Sequence, residues 1–187
     1  MGIDPAEVTP ELRSVGKMVS YGVVYGMGPF GLAQRLRIPI DQAKVYIDGF
    51  FALYPGARTF LDAVVAKATE DGFTTTMLGR RRYVPELKSR NPRVRNLGER
   101  QALNAPIQGT AADIIKVAMV KASAAIKQTN ARMVLTVHDE LVFEVPESEV
   151  AQVAPLVQQA MESAVALDVP LSVDLAWGPN WADAKSV

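Results

Sequence analysis

Residues 133–145 read MVLTVHDELVFEV. Met133, Leu135 and Val137 alternate with Val134 and Thr136, and Leu141, Phe143 and Val145 alternate with Val142 and Glu144. A period of two marks strands with one buried face, so the stretch predicts two strands with His138 and Asp139 at the bend between them. On either side the period changes. Residues from Thr110 to about Lys127 are alanine-rich and strongly helical in pattern, and residues 148–167 return to helix. Residues 171–175 then read as a third strand, and Trp177 to Trp181 closes the chain.

Toward the N-terminus the signals are those of helices. Asp4 followed by Pro5 and Glu7, then Thr9 followed by Pro10 and Glu11, are successive helix starts. A helix is expected from about Pro10 past Tyr21, ending near Gly26 and Gly28. Residues 41–52 have helical character, Pro55 opens another amphipathic stretch, and Gly72 is well placed to stop it. Thr74 to Met77, Gly79, and Arg82 to Val84 read as a short hairpin. A further helix includes Arg100 and Gln101 and is interrupted at Pro106. A helical N-terminal part followed by strand, strand, helix and strand defines an α+β class. With no repeat, low-complexity tract or flexible linker, a subdomain boundary near Asn104 is expected to be a packed one.

Composition narrows the function classes. The 187 residues suffice for one domain or two small subdomains sharing an interface, and 49% apolar with 21% charged residues fits a globular protein. The absence of cysteine excludes disulfides, thiolate zinc sites and cysteine nucleophiles. MGIDPAEV lacks the layout of a secretory signal, and no apolar run is long enough to cross a bilayer, which sets the expectation of an intracellular protein without a membrane. The net charge is zero, but it is unevenly spread. Between Gly79 and Arg100 eight basic residues, Arg80, Arg81, Arg82, Lys88, Arg90, Arg93, Arg95 and Arg100, face only Glu86 and Glu99, so the segment carries +6 and the rest of the chain −6. A lysine-rich run would suggest a solvated loop; these cations are nearly all arginine, whose planar fork suits phosphates and base edges.

Three constellations carry chemistry. Arg13, Lys17, Tyr21 and Tyr25 recur every four residues and form a gently spiralling stripe on the first helix. Two cations and two aromatics in that order suit a triphosphate and a base, although on spacing alone surface cations beside core tyrosines are commoner. Gly16, Gly22 and Gly26 on the same helix each cost about 1 kcal/mol relative to alanine, a cost that makes sense if something approaches the backbone closely. The second constellation runs from Arg100 and Gln101 through Asn104, Pro106 and Gln108 to Asp113 and Lys116. Its amides could read the acceptors shared by all base pairs in the minor groove, or simply cap a turn. The third is Val137-His138-Asp139-Glu140-Leu141-Val142. Adjacent acids at a bend suit a hard divalent cation, and equally a polar turn; the lone histidine reads most simply as a structural hydrogen-bonding group.

Taken together, the stripe with its Tyr21-Gly22 and Tyr25-Gly26 pairs, the string NAPIQGTAAD and the string VHDELV resemble the family A (bacterial DNA polymerase I type) DNA polymerases, over almost the whole chain and in the family's order. The resemblance implies a helical fingers subdomain over residues 1–103 and the C-terminal part of an antiparallel-sheet palm over residues 104–187. It implies that Arg13, Lys17 and Tyr21 bind the incoming deoxynucleoside triphosphate, and that Tyr25, Arg80, Arg81, Arg82, Arg100, Asn104, Gln108 and His138 face primer-template DNA. Asp139 and Glu140, with Lys17, would be catalytic, the two acids as ligands of a two-metal Mg2+ site that this chain only partly supplies. Tyrosine at position 21 goes, in the family, with ready use of dideoxynucleotides. Ser14, Ser20 and Thr136 depart from the residues most frequent at their positions.

The family's first palm aspartate precedes the fingers, and nothing before Thr9 matches it; the thumb is also missing. The expectation is therefore a catalytic-domain portion of a cytoplasmic, nucleoid-associated polymerase, an excised fragment, a split-polymerase subunit or a truncated homologue, inactive without the missing part. A separate chain carrying that aspartate and the thumb would be its partner. The alternatives are a non-catalytic DNA- or nucleotide-binding fragment of the same fold and a structural remnant without a ligand.

Overall fold

The structure, a computed structural model, describes residue 4 and residues 7–186. The chain falls into two compact units, Met1–Gly109 and Thr110–Val187. The first of the two helix-start signals, at Pro5, lies outside the described residues.

In the first unit Thr9 caps helix α1 (Pro10–Val24): its hydroxyl accepts from the Leu12 N–H at 3.3 Å, and Pro10 occupies the first turn, where its missing N–H costs nothing. The same hydroxyl, followed by the residue's own backbone, holds the Glu11 carboxyl below the usual glutamate value. Helix α2 (Pro29–Leu36) was not anticipated. It is short and contains Gly31, a weak helix former, but Leu32 and Ala33 on it are buried. Helix α3 (Ile40–Leu53) joins them, and Val19, Val23, Leu32, Ala33, Ala43 and Ile47 form one core, with Met27 and Phe50 packed against it. Helix α4 (Pro55–Asp71) ends as expected at Gly72, whose φ of 80° closes the last turn on the Ala68 carbonyl.

Strands β1 (Phe73–Thr75) and β2 (Arg81–Tyr83) pair antiparallel, Thr74 opposite Arg82. A 3-10 turn at Pro85–Lys88 leads to helix α5 (Pro92–Asn104), capped by the Asn91 side chain on the Arg93 N–H at 3.0 Å. Ala68, Val84, Leu87 and Ala102 make a second small core beneath this hairpin. The expected interruption at Pro106 takes the form of a π-helical segment, Ala105–Gly109. Proline cannot donate to the carbonyl four residues back and its ring crowds that group, so widening the turn relieves the clash.

The second unit begins with helix α6 (Thr110–Ala125), followed by strands β3 (Arg132–Val137) and β4 (Glu140–Glu144). Helix α7 (Val150–Glu162) packs against α6, and Ile126, Val153 and Val157 form the core, with Phe143, Val145 and Met161 against it. Two expectations are corrected here. Helix α7 stops at Glu162, short of Leu167, and residues 171–175 form no strand. In the second of these the Val173 N–H is taken by the Glu162 carboxylate at 3.1 Å, and its carbonyl by the Gln158 amide at 3.0 Å. Side chains of α7 satisfy that backbone, which leaves no ladder for a neighbour to join. A short pair, β5 (Ala176–Trp177) with β6 (Lys185–Ser186), closes the chain. The class is α+β, predominantly helical, with three separate two-stranded antiparallel sheets among the described residues.

The β3–β4 hairpin also corrects the simple alternation. Met133 pairs with Phe143, but Leu135 pairs with Val142 and Thr136 with Leu141, so Val134 is an extra residue, a bulge. Directly paired residues share a face. Beyond the bulge Thr136 therefore lies with Met133, Leu141 and Phe143, while Leu135 turns to the other face and is 52% exposed.

Candidate nucleotide and nucleic-acid site

Helix α1 presents Arg13, Gly16, Lys17, Ser20 and Tyr21 along one side, and with Val8 and Leu12 they line an open groove of about 550 Å³. Three members of the four-residue stripe thus share one concavity. Arg13 and Lys17 are exposed, and Tyr21 is 63% exposed. Tyr25 is half-buried at the C-cap of α1 and does not line the groove. The glycines divide as well. A Cβ on Gly16 would meet nothing within 4 Å, so Gly16 leaves the groove floor open. At Gly22 a Cβ would instead stand 3.2 Å from Met27 Sδ, and at Gly26, where φ is 75°, one would stand 2.9 Å from Leu103 Cδ1 and 3.4 Å from Arg100 Cγ. Close approach at Gly22 and Gly26 serves the chain's own packing.

The arginine triplet of the β1–β2 hairpin separates into different environments. Arg80 Nη2 donates to the Gly109 carbonyl at 3.0 Å. Arg81 lies over the Phe73 ring, 4.6 Å from its centroid, and Phe73 in turn stands edge-on to Tyr83. Arg82 is exposed. Among the described residues Arg81, Arg82, Lys88, Arg90, Arg93, Arg95 and Arg100 make no ion pair; the pair present is Lys67 with Asp71 at 2.9 Å, within α4. Seven exposed cations without carboxylate partners are open to anions. Asn104, at the end of α5, has a buried Oδ1 without a hydrogen-bond partner, and Gln108 is exposed on the π segment.

In the second unit His138 and Asp139 are the two residues of the tight turn, since Val137 pairs directly with Glu140. His138 has φ 56°, a left-handed conformation uncommon for a side chain other than glycine. The turn thus stores backbone strain in order to hold His138, Asp139 and Glu140, all exposed, at its tip. Among the described residues no three of His, Cys, Asp and Glu converge. The donor chemistry suits a hard cation, but the set offered by this chain falls short of a complete site. Sequence reasoning missed the Arg80–Gly109 contact, since no local pattern links residues 29 positions apart.

Comparison with known proteins gives the family. The family model for DNA polymerase family A matches residues 1–183, and the chain belongs to that family. It is 49% identical to DNA polymerase I of Mycobacterium leprae over 185 residues, 98% of this chain and 20% of the relative. It is 45% identical to DNA polymerase I of Geobacillus stearothermophilus, again over 98% of this chain and 21% of the relative. Among solved structures it is similar to the POL domain of Pol1 from M. smegmatis in complex with DNA primer-template and dNTP, with a TM-score of 0.88 and 52% identity, covering 91% of this chain and 30% of that one. The chain therefore spans about a fifth of the length of these curated relatives. Among the described residues no helix is long and apolar enough to cross a membrane.

Proposed function

We propose that this chain is part of the catalytic domain of a DNA-directed DNA polymerase, adding deoxynucleotides to a primer 3′ end under template direction. The observation that carries the reading is the α1 groove, in which Arg13, Lys17 and Tyr21 face one concavity with Gly16 open between them. In it the Arg13 and Lys17 cations hold the triphosphate and stabilise charge as it develops, and Tyr21 packs on sugar and base. Tyr25, Arg81, Arg82, Arg100, Asn104, Gln108 and His138 contact the primer-template, with residues 1–103 acting as fingers and 104–187 as the C-terminal half of the palm. Asp139 and Glu140 would hold magnesium, which when bound neutralises charge on the transferred phosphoryl group. Their number is too small for a full site, so the chain alone does not extend a primer.

The test is primer extension by the chain alone and by a chimeric polymerase in which it replaces the matching segment of the Geobacillus stearothermophilus enzyme. Extension by the chimera and none by the chain alone is the expected result. Extension by neither, with both folded, would instead favour a module that binds nucleotide or DNA without chemistry. In an active chimera Tyr21→Phe should reduce dideoxynucleotide use; unchanged discrimination would remove that role from Tyr21.

A further inference from the structure

Arg80, Arg81 and Arg82 are adjacent in sequence, yet Arg80 alone reaches across to the π segment. Its own backbone is fastened first. The Arg80 N–H donates to Thr76 Oγ1 at 3.1 Å, and the Thr76 N–H donates to the Arg80 carbonyl at 2.9 Å, so the loop between β1 and β2 is closed at its neck. Thr76 is buried, and its methyl presses on Gly109: a Cβ built there would lie 2.7 Å from Thr76 Cγ2. One donor and one methyl thus grip the last residue of Ala105–Gly109 from the hairpin side.

We infer that Arg80 is a positioning residue: with Thr76 it clasps Gly109 and fixes the π segment, so that the amides of Asn104 and Gln108 are presented to a duplex at a set spacing. A helix widened at Pro106 has lost the regular bond that would otherwise define its geometry, and an external donor to its terminal carbonyl replaces that restraint. A charged donor makes a stronger bond than a neutral one. The guanidinium committed to a carbonyl contributes less to phosphate binding than the exposed Arg82 does. The clasp stands on this unit's geometry; its consequence for DNA rests on the duplex-binding reading above.

Two measurements on the full 187-residue chain test it. The first is amide hydrogen exchange over residues 105–110. Arg80→Ala and Gly109→Ala should each speed exchange there at least about tenfold, and Thr76→Ser, which removes the obstructing methyl but keeps the hydroxyl, should restore protection to Gly109→Ala. Unchanged exchange in Arg80→Ala, an exposed site where the variant should fold, overturns the clasp whatever the DNA result. The second is a salt titration of primer-template binding. Arg82→Ala should lower the magnitude of the log-log slope by roughly 0.9, the value for one lost phosphate contact. Arg80→Ala and Gly109→Ala should weaken binding several-fold with the slope unchanged. A slope change in Arg80→Ala equal to that of Arg82→Ala makes Arg80 a phosphate contact and overturns the positional role. If the wild-type chain binds no duplex while exchange responds as stated, the clasp is supported and the duplex-binding reading fails for this chain.

Discussion

The two larger hairpins of this protein are built on different plans. The basic one, β1–β2, is fastened on several sides: Thr76 closes its neck, Arg80 ties it to Gly109, Arg81 lies on Phe73, and the turn that follows it is seated on α5. The acidic one, β3–β4, is anchored at its base, where Phe143 and Val145 join the core and Asn130 binds Glu149, while its tip projects three exposed polar residues. The fastening decides where each hairpin's chemistry resides. A fastened hairpin transmits position to its neighbours, and a change within it should be felt as stability. A hairpin anchored only at its base can change the exposed side chains of its tip at little cost where the backbone conformation is kept, and such a change should be felt as activity.

The largest effect should therefore come from the smallest structural change. In the chimeric polymerase, Asp139→Asn should lower the extension rate by about 10³-fold or more, roughly 4 kcal/mol of transition-state stabilisation. The melting temperature should not move, because the side chain is exposed. Steady-state extension and calorimetry on the same preparations decide the matter, and near-normal turnover would remove Asp139 from the chemistry.

Gly98→Ala probes the opposite plan. A Cβ at Gly98 would stand 2.8 Å from the Leu87 nitrogen and 3.0 Å from the Glu86 carbonyl carbon, backbone atoms that cannot swing away. The expected destabilisation is about 1–3 kcal/mol, read as a melting temperature lower by about 2–4 °C per kcal/mol. An unaltered melting temperature would mean that the turn is not seated on α5 as described, and the contrast between the two hairpins would weaken.

What the sequence made legible follows the same division. Elements defined by local signals were readable: Thr9 and Pro10 start α1, Gly72 ends α4, and the two-residue bend at His138 and Asp139 lies where the period predicts. The stripe of Arg13, Lys17 and Tyr21 on one side of a helix was readable from spacing by four, although that spacing alone favoured surface cations beside core tyrosines. Features that depend on distant partners were not. Met133, Val134 and Leu135 are all apolar, so either register buries an apolar side chain and the bulge leaves no mark in the pattern. Alternation at Leu171, Val173 and Leu175 is real, but α7 side chains claim the backbone that a strand would have used. Helix α2 is too short for periodicity to speak, although Gly28 followed by Pro29 was a usable start signal. The family's residue roles do not distinguish Arg80 from Arg82; only the bond to Gly109 does.

A smaller effect separates the backbone at the acidic tip from its side chains. Because His138 sits at φ 56°, glycine should fit that position without strain and a β-branched residue should not. His138→Gly should melt at or above the wild-type temperature, and His138→Val should lose about 1–2 kcal/mol. Equal losses in both would attribute the position to contacts of the imidazole instead of to its backbone.

The smallest effect tests the anchor at the base of the acidic hairpin. The Asn130 side-chain amide and backbone N–H both donate to Glu149, the latter at 2.9 Å, and these bonds, the side-chain one foremost, hold the Glu149 carboxyl below the ordinary glutamate value of 4.5. A carboxyl with a lowered folded-state pKa binds its proton more weakly when folded, so its contribution is complete above about pH 4.5 and fades as the pH falls through the lowered value. Glu149→Gln should therefore melt below the wild type at neutral pH, with the gap closing as acid is added below pH 4.5. A gap that persisted unchanged into acid would show that Glu149 acts through shape and not charge.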